Sequence, residues 1–293
     1  MSTSNPLHGL TVGVVGLGQI GGSIAAALTS RPEPPTLIGF DIDPDISAAA
    51  TERGIVHDVA ESVAMLLDRS DIVVLAVHQS VTIGMLKEHA ERIRGKSLVT
   101  DTCSLKSEIL EAAKGENLTN FVGGHPIAGS EKKGADSWDT DLFQGAVYAF
   151  VEGDATPELS VALLKALIGL IGANAVAVEP AEHDRLFALT IGLPHVLAYT
   201  LAGMLRHESD RETIAPLITG PSWRGATRVA ASDAGFVEQM LWSNRGHLAE
   251  RIDLLIEALA GFRGSLREEE PSTLRSRLEE GSISRDYSQE TDQ

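Results

Sequence analysis

Short, almost wholly apolar runs alternate with amphipathic stretches through the first 180 or so residues. LTVGVVGLGQIGGSIAAALTS opens as a buried strand, breaks at glycines and continues as an alanine-rich helix. LIGFDIDP is a second short run that ends in acids, and ISAAATERG reads as a helix stopped by glycine. SDIVVLAV, SLVTD, NFVGGHP, AVYAFVEG and AVAVEP are further strand candidates. VTIGMLKEHAERI and SLKSEILEAAKG are the helices between them. Strands apolar on both faces, alternating with helices, predict a parallel sheet covered on each side. The fold class expected is α/β, with an N-terminal doubly wound parallel sheet of the Rossmann type.

The pattern changes near residue 179. AEHDRLFALTIGLPHVLAYTLAGMLRHE, TIAPLITG and GFVEQMLWSNRGHLAERIDLLIEALAGFRGSL all carry helical periodicity. HVLAYTLAGML is too apolar for a small satellite domain to bury by itself. It predicts an all-helical second domain that dimerises. The boundaries expected are 8–178 for the nucleotide domain, 179–265 for the helical domain and 266–293 for a polar, flexible tail with one peripheral helix.

Charge and cysteine content narrow the function classes. Over 293 residues the formal net charge is −17, which disfavours nucleic acid and anionic membrane surfaces as partners. The single cysteine, Cys103, excludes an internal disulfide framework and fits a reducing, cytoplasmic compartment. No signal peptide and no transmembrane segment are expected, and no spacing suggests a metal site.

GLGQIG, residues Gly16, Leu17, Gly18, Gln19, Ile20 and Gly21, matches GxGxxG. The motif follows a strand and opens a helix, and Asp41 ends the next apolar run 20 residues after Gly21. That is the context a dinucleotide fingerprint requires. Asp41 accepts ribose hydroxyls in such a site. With Asp43 beside it and no arginine following, the pair repels a 2′-phosphate, so NAD is the cofactor expected.

GGHPIAGSEKKG, residues 123–134, is too irregular for a helix and too rich in glycine for a strand. His125 lies past the carboxyl end of a strand, where doubly wound sheets bind ligands. It is either a structural loop histidine or a base for hydride-transfer chemistry. Ser104, in DTCSLKSEI, either caps a helix or faces His125 and the nicotinamide. His183–Asp184, His195, Arg224 and Arg228 stand out in the helical half. The arginines are candidates for a substrate carboxylate, or for ordinary surface pairs.

Taken together, GLGQIGGSIA, DTCSLKSEI, GGHPIAGSEKKGADSWDTDLF, the HD…LPH pair and TRVA resemble the prephenate/arogenate dehydrogenases of tyrosine biosynthesis over roughly residues 10–260. The resemblance implies an NAD-dependent oxidative decarboxylation, with hydride leaving ring C4 of a cyclohexadienol. It implies that His125 accepts the C4 hydroxyl proton and that Ser104 orients His125 and the nicotinamide. Arg228 holds a substrate carboxylate, with His183 and Asp184 in the ionic network that fixes it. His195 lines the pocket and Glu131 acts as gate or partner. A homodimer through the C-terminal helices follows as well.

Some positions depart from the family pattern. Ile191-Gly192-Leu193 stands where SHL is common, and Val237 replaces a frequent tryptophan. Asp233-Ala234 replaces an acid-proline pair, and His78 replaces a proline. These changes bear on the substrate: prephenate, arogenate and 4-amino-4-deoxyprephenate differ only in polar substituents. A β-hydroxyacid dehydrogenase or imine reductase calls for a lysine on the first long helix of the second domain, and HDRLFALTIGLPH has none. A non-catalytic NAD-sensing regulator is the reading from outside enzymology.

Overall fold

The structure is a computed structural model that describes residues 5–129, 132–153, 155–209, 214–267 and 271–290. Its strands are β1 (Thr11–Val15), β2 (Thr36–Phe40), β3 (Asp58–Val59), β4 (Ile72–Leu75), β5 (Leu98–Asp101), β6 (Phe121–Pro126), β7 (Val147–Val151) and β8 (Asn174–Ala177). They form one sheet in the order β3-β2-β1-β4-β5-β6-β7-β8. The order reverses between β1 and β4, the switch point outside whose carboxyl ends doubly wound sheets hold ligands.

Alternation along the strands sends side chains to two cores. Val12, Val14, Ile72 and Val74 face one layer with Ile24, Leu28 and Leu164, under helices Gln19–Thr29 and Glu158–Leu170. Val15, Val73 and Leu75 face the other with Leu66, Leu67, Leu86 and Ile109. Each such fully buried aliphatic side chain contributes on the order of 1.5–3 kcal/mol.

Two features of the sheet differ from the expectation. β7 runs antiparallel to β6, so the sheet is parallel-dominated rather than wholly parallel. Among its described residues the connection 127–146 holds the short 3₁₀ turn Ala135–Ser137 and no crossover helix, and the chain returns beside β6 in the opposite sense. β7 is buried like the parallel strands β4 and β5, so its composition carries no sign of direction. β3 is a two-residue edge strand that shows no apolar run. The stretch VTIGMLKEHAERI divides at His89 into helices Gln79–Glu88 and Ala90–Arg94.

The helical half begins with Pro180–Phe187, passes through a π turn at Ala188–Gly192 and continues as Leu193–Ser209. Pro194 has no N–H to donate, and the Leu193 N–H reaches the Ala188 carbonyl instead. Helices Pro221–Thr227, Ala234–Ser243, Arg245–Arg267 and Pro271–Glu290 complete it. Leu105, Phe187, Val237 and Met240 form a small core that joins the two halves. The helical run 180–206 is long and apolar enough to cross a bilayer by length and composition, and only 28% of its most apolar window is buried within the protomer.

Candidate active site

At the end of β1 the chain turns at Gly16, whose φ of 87° suits glycine and whose N–H donates to the Phe40 carbonyl at 2.8 Å. A Cβ on Gly21 would stand 1.9 Å from the Gly16 carbonyl oxygen, so the helix Gln19–Thr29 can start this close to the turn only with glycine there. Gly18 faces open space. The N-cap residue of this helix, Gly18, has no side chain to cap it and no acid lies in its first turn, so its N–H groups suit an anion. Asp41 accepts the Leu17 N–H at 2.7 Å and the Asp43 N–H at 2.9 Å, so its carboxylate is held in place. Arg53 is engaged with Asp136 and the Ala135 carbonyl, away from Asp41. Phosphate donors, a bare approach at Gly18 and a fixed carboxylate at the ribose position fit NAD. Gly21→Ala is expected to cost about 1–3 kcal/mol of overpacking and to raise the Kd for NAD in calorimetric titration; an unchanged Kd would mean that the turn relaxes freely.

A cleft of about 1060 Å³ runs from this turn to the helical half. Gly18, Gln19, Ile20, Val77, Ser104, His125 and Pro126 line the sheet side. Thr190, Ile191, His195, Arg228, Phe236 and Met240 line the opposite wall. His125 is buried on β6, and its Nδ1 lies 2.9 Å from His183 Nε2. His183 Nδ1 lies 2.9 Å from Asp184 Oδ1. Asp184 in turn accepts the backbone N–H groups of Lys106 and Ser107, each at 2.9 Å, at the start of helix Ser107–Gly115. Burial works to raise the Asp184 carboxyl, but hydrogen bonds from His183, Ser107 and Lys106 outweigh it and hold the group below the usual carboxylate range.

An ionised carboxylate only accepts, so His183 donates from Nδ1. With both rings neutral, His183 Nε2 then accepts and His125 donates from Nδ1. That leaves His125 Nε2 with a lone pair, and among the described residues no hydrogen-bond partner takes it. Burial, the nearby Lys106 ammonium and His183 push the His125 pKa well below the ordinary histidine value, against a smaller opposing pull from Asp184. The ring is therefore a neutral acceptor at neutral pH.

Behind β6 lies a fully buried ion pair that sequence reasoning missed. Lys106 Nζ donates to Asp101 Oδ2 and to the Gly124 carbonyl, each at 2.5 Å. Asp101 also accepts the Cys103 N–H at 2.9 Å and the Gly124 N–H at 3.0 Å. Both residues stand inside DTCSLK, and the signal was Asp101 closing an apolar strand five residues before Lys106.

Residues 24–177 match the nucleotide-binding domain of prephenate dehydrogenase, and residues 179–280 match its dimerization domain. The chain belongs to the prephenate dehydrogenase family. The prephenate dehydrogenase of Bacillus subtilis (strain 168) is 30% identical over 267 residues, covering 90% of this chain and 72% of that protein. Among solved structures, the prephenate dehydrogenase from A. aeolicus in complex with hydroxyphenyl propionate and NAD+ has a TM-score of 0.87 at 26% identity, covering 96% of this chain and 99% of its own. Synechocystis arogenate dehydrogenase has a TM-score of 0.79 at 25% identity, covering 95% and 99%.

Several residues implied by the resemblance to prephenate dehydrogenases stand elsewhere than expected. His183 and Asp184 are buried behind His125 and do not line the cleft; their hydrogen bonds run to His125 and to the Lys106 and Ser107 N–H groups rather than to Arg228. Ser104 lines the cleft but makes no hydrogen bond with His125, whose Nδ1 is taken by His183. Nor does Ser104 cap a helix: the helix starts at Ser107, and its first N–H groups go to Asp184. Arg228 is exposed on the cleft wall, while Arg224 lies off it with its Nη1 3.5 Å from the Thr219 carbonyl. His195 lines the cleft with its Nδ1 2.8 Å from the Ile191 carbonyl. Glu131 lies outside the described residues. Among the departures, Ile191 and His78 line the cleft, and Val237 is buried in the core between the halves. Asp233 caps helix Ala234–Ser243 by accepting the Phe236 N–H at 3.0 Å.

Proposed function

We propose that this protein is an NAD-dependent prephenate dehydrogenase, which converts prephenate to 4-hydroxyphenylpyruvate and CO₂. The observation that carries the reading is His125, neutral and buried, lining a cleft continuous with the dinucleotide turn, with no partner for its Nε2 among the described residues. His125 Nε2 takes the proton of the ring C4 hydroxyl as hydride leaves C4. Bound NAD supplies the hydride acceptor. The ring carboxylate then departs as CO₂, its bonding electrons pass into the ring, and aromatisation drives the step forward. Arg228 pairs with a substrate carboxylate, His195 lines the same wall, and Ser104 stands by the nicotinamide end.

Ile191 favours a second reading, because the cleft wall carries an aliphatic side chain at that position: arogenate or 4-amino-4-deoxyprephenate as the substrate. We also propose a homodimer, assembled through the helical half. Leu217, Ile218 and Trp242 are 81%, 77% and 68% exposed on a region that matches a dimerization domain. The free thiol of Cys103 suits the cytoplasm.

The test is NADH absorbance with NAD and each of the three substrates in turn. Turnover of prephenate supports the first reading, turnover of only an amino compound selects the second, and no NADH with any of them overturns both. Arg228→Ala is expected to raise KM for prephenate at least about tenfold, the loss of one charge-assisted hydrogen bond of about 1.5–3 kcal/mol. A changed kcat at constant KM would assign Arg228 to the chemical step instead.

A further inference from the structure

We propose that His183 and Asp184 are positioning residues of a closed proton relay, which borrows the C4 hydroxyl proton through His125 and returns it to the product. The inference rests on the dehydrogenase reading above.

The proton balance of the reaction asks for such a device. Hydride leaves C4, and CO₂ leaves with the carboxylate's carbon and oxygens. The carbon–carbon bonding pair becomes part of the aromatic ring. The substrate begins with a C4 hydroxyl and the product ends as a phenol. A proton removed from oxygen during hydride transfer therefore has to come back to the same oxygen when the dienone becomes a phenolate. No proton is released overall, and the base needs no path to solvent.

The chain of groups behind His125 is built in that way. His125, His183 and Asp184 are all buried. The chain ends on a carboxylate whose two oxygens accept the Lys106 and Ser107 N–H groups. Asp184 is fixed further by Asn244, whose Nδ2 donates to the Asp184 carbonyl at 2.7 Å. The Asp184 carboxylate thus ties the first helix of the helical half to the N-terminus of helix Ser107–Gly115, where the helix dipole favours an anion.

The charges around the relay decide where the borrowed proton rests. Those facing His125 are Lys106 from behind, paired with Asp101, and the His183–Asp184 pair at its side. Burial and Lys106 oppose a cation on His125. His183 Nδ1 lies 2.9 Å from Asp184 Oδ1. As Nε2 of His125 gains the substrate proton, the Nδ1–H bond of His125 breaks and that proton bonds to His183 Nε2. The positive charge then stands on His183, beside Asp184. The reverse shift restores both rings when the phenolate is protonated.

The test uses the whole chain with NAD and prephenate. Asp184→Asn is expected to lower kcat about 10²–10³-fold, within the range of general acid–base contributions, with KM for prephenate and for NAD within about threefold of the wild type. The acid limb of the kcat/KM profile moves to lower pH, because the anion that favours a protonated relay is gone. His183→Gln can still accept from His125 Nδ1 through its Oε1, so the tautomer survives and only proton sharing is lost. A partial loss of kcat at constant KM is expected there, and this variant decides the matter if Asp184→Asn does not fold. A KM for prephenate that rises tenfold or more at unchanged kcat, or full activity in both variants, overturns the relay. Nitrogen NMR of the wild-type imidazoles reads the arrangement without turnover: both rings should carry hydrogen on Nδ1. An Nε2–H tautomer at His125 sinks the relay even if the protein is active. Inactivity of the wild type on all three substrates with both rings in the Nδ1–H form overturns the dehydrogenase reading and leaves the relay geometry standing.

Discussion

Replacing His125 with asparagine lowers kcat about 10²–10⁴-fold, the contribution expected of a positioned base, and leaves the Kd for NAD unchanged. Asparagine is close in size and can still accept a hydrogen bond from the C4 hydroxyl, but it cannot take the proton. The backbone of residue 125 pairs with Ala149 in the sheet, so the substitution does not move the strand. The wild-type pH profile carries a second signature. The base works only when unprotonated, and burial first, then Lys106 and His183, hold its pKa well below that of a free histidine. The kcat/KM profile should therefore stay level as pH falls through about 6.5, the unperturbed value, and bend only below it. The same shift enters stability. A folded-state pKa below the unfolded one contributes stability that is complete above the unfolded pKa and is lost as pH falls towards the folded one. His125→Asn removes that contribution, so the variant should lose less stability than the wild type between pH 6.5 and lower values. A wild-type acid limb at or above 6.5 would show that His125 is not the group in control.

The parts of the site that lie within one strand–turn–helix unit were legible in the sequence. Gly16, Gly18, Gly21 and Asp41 obey local rules: a turn with positive φ, a close helix start, an acid at the next strand end. His125 was legible as a ligand-site candidate near a strand's carboxyl end, but it stands inside β6, paired with Ala149, rather than in a loop past it. The relay was not. His125 and His183 are 58 positions apart and meet only because Pro180–Phe187 packs across the N-terminus of helix Ser107–Gly115. Adjacent His and Asp residues in an otherwise polar helix read equally well as substrate ligands. Arg224 and Arg228 stand four apart, and only the packing of the short turn at Arg228–Ala231 separates cleft from surface. In the sheet, the direction of β7 depends on a missing helix rather than on the strand's own residues.

Lys106 was the least legible residue, because lysine is almost never fully buried unless paired, and its partner was marked only by its place at the end of an apolar strand. Lys106→Met should therefore have the largest effect on stability, about 3–5 kcal/mol, the usual cost of leaving one charge of a buried pair uncompensated. For a chain of this size that corresponds to a fall in Tm of roughly 6–20 °C. Methionine has similar length and fills the space, so the loss comes from electrostatics rather than from a cavity. Asp101 keeps the N–H groups of Cys103 and Gly124 but faces no cation. The Gly124 carbonyl, next to His125 in the chain, loses its ammonium donor. A double variant, Asp101→Asn with Lys106→Met, should recover part of the loss, since no unpaired charge then remains. Activity separates the two roles of the lysine. With the ammonium gone, one of the causes that hold His125 below the ordinary histidine range is removed, so the acid limb of kcat/KM should move upward in pH. That is the opposite direction to the shift expected for Asp184→Asn. A Lys106→Met variant whose Tm falls but whose acid limb stays in place would mean that the buried pair serves the sheet and leaves the base untouched.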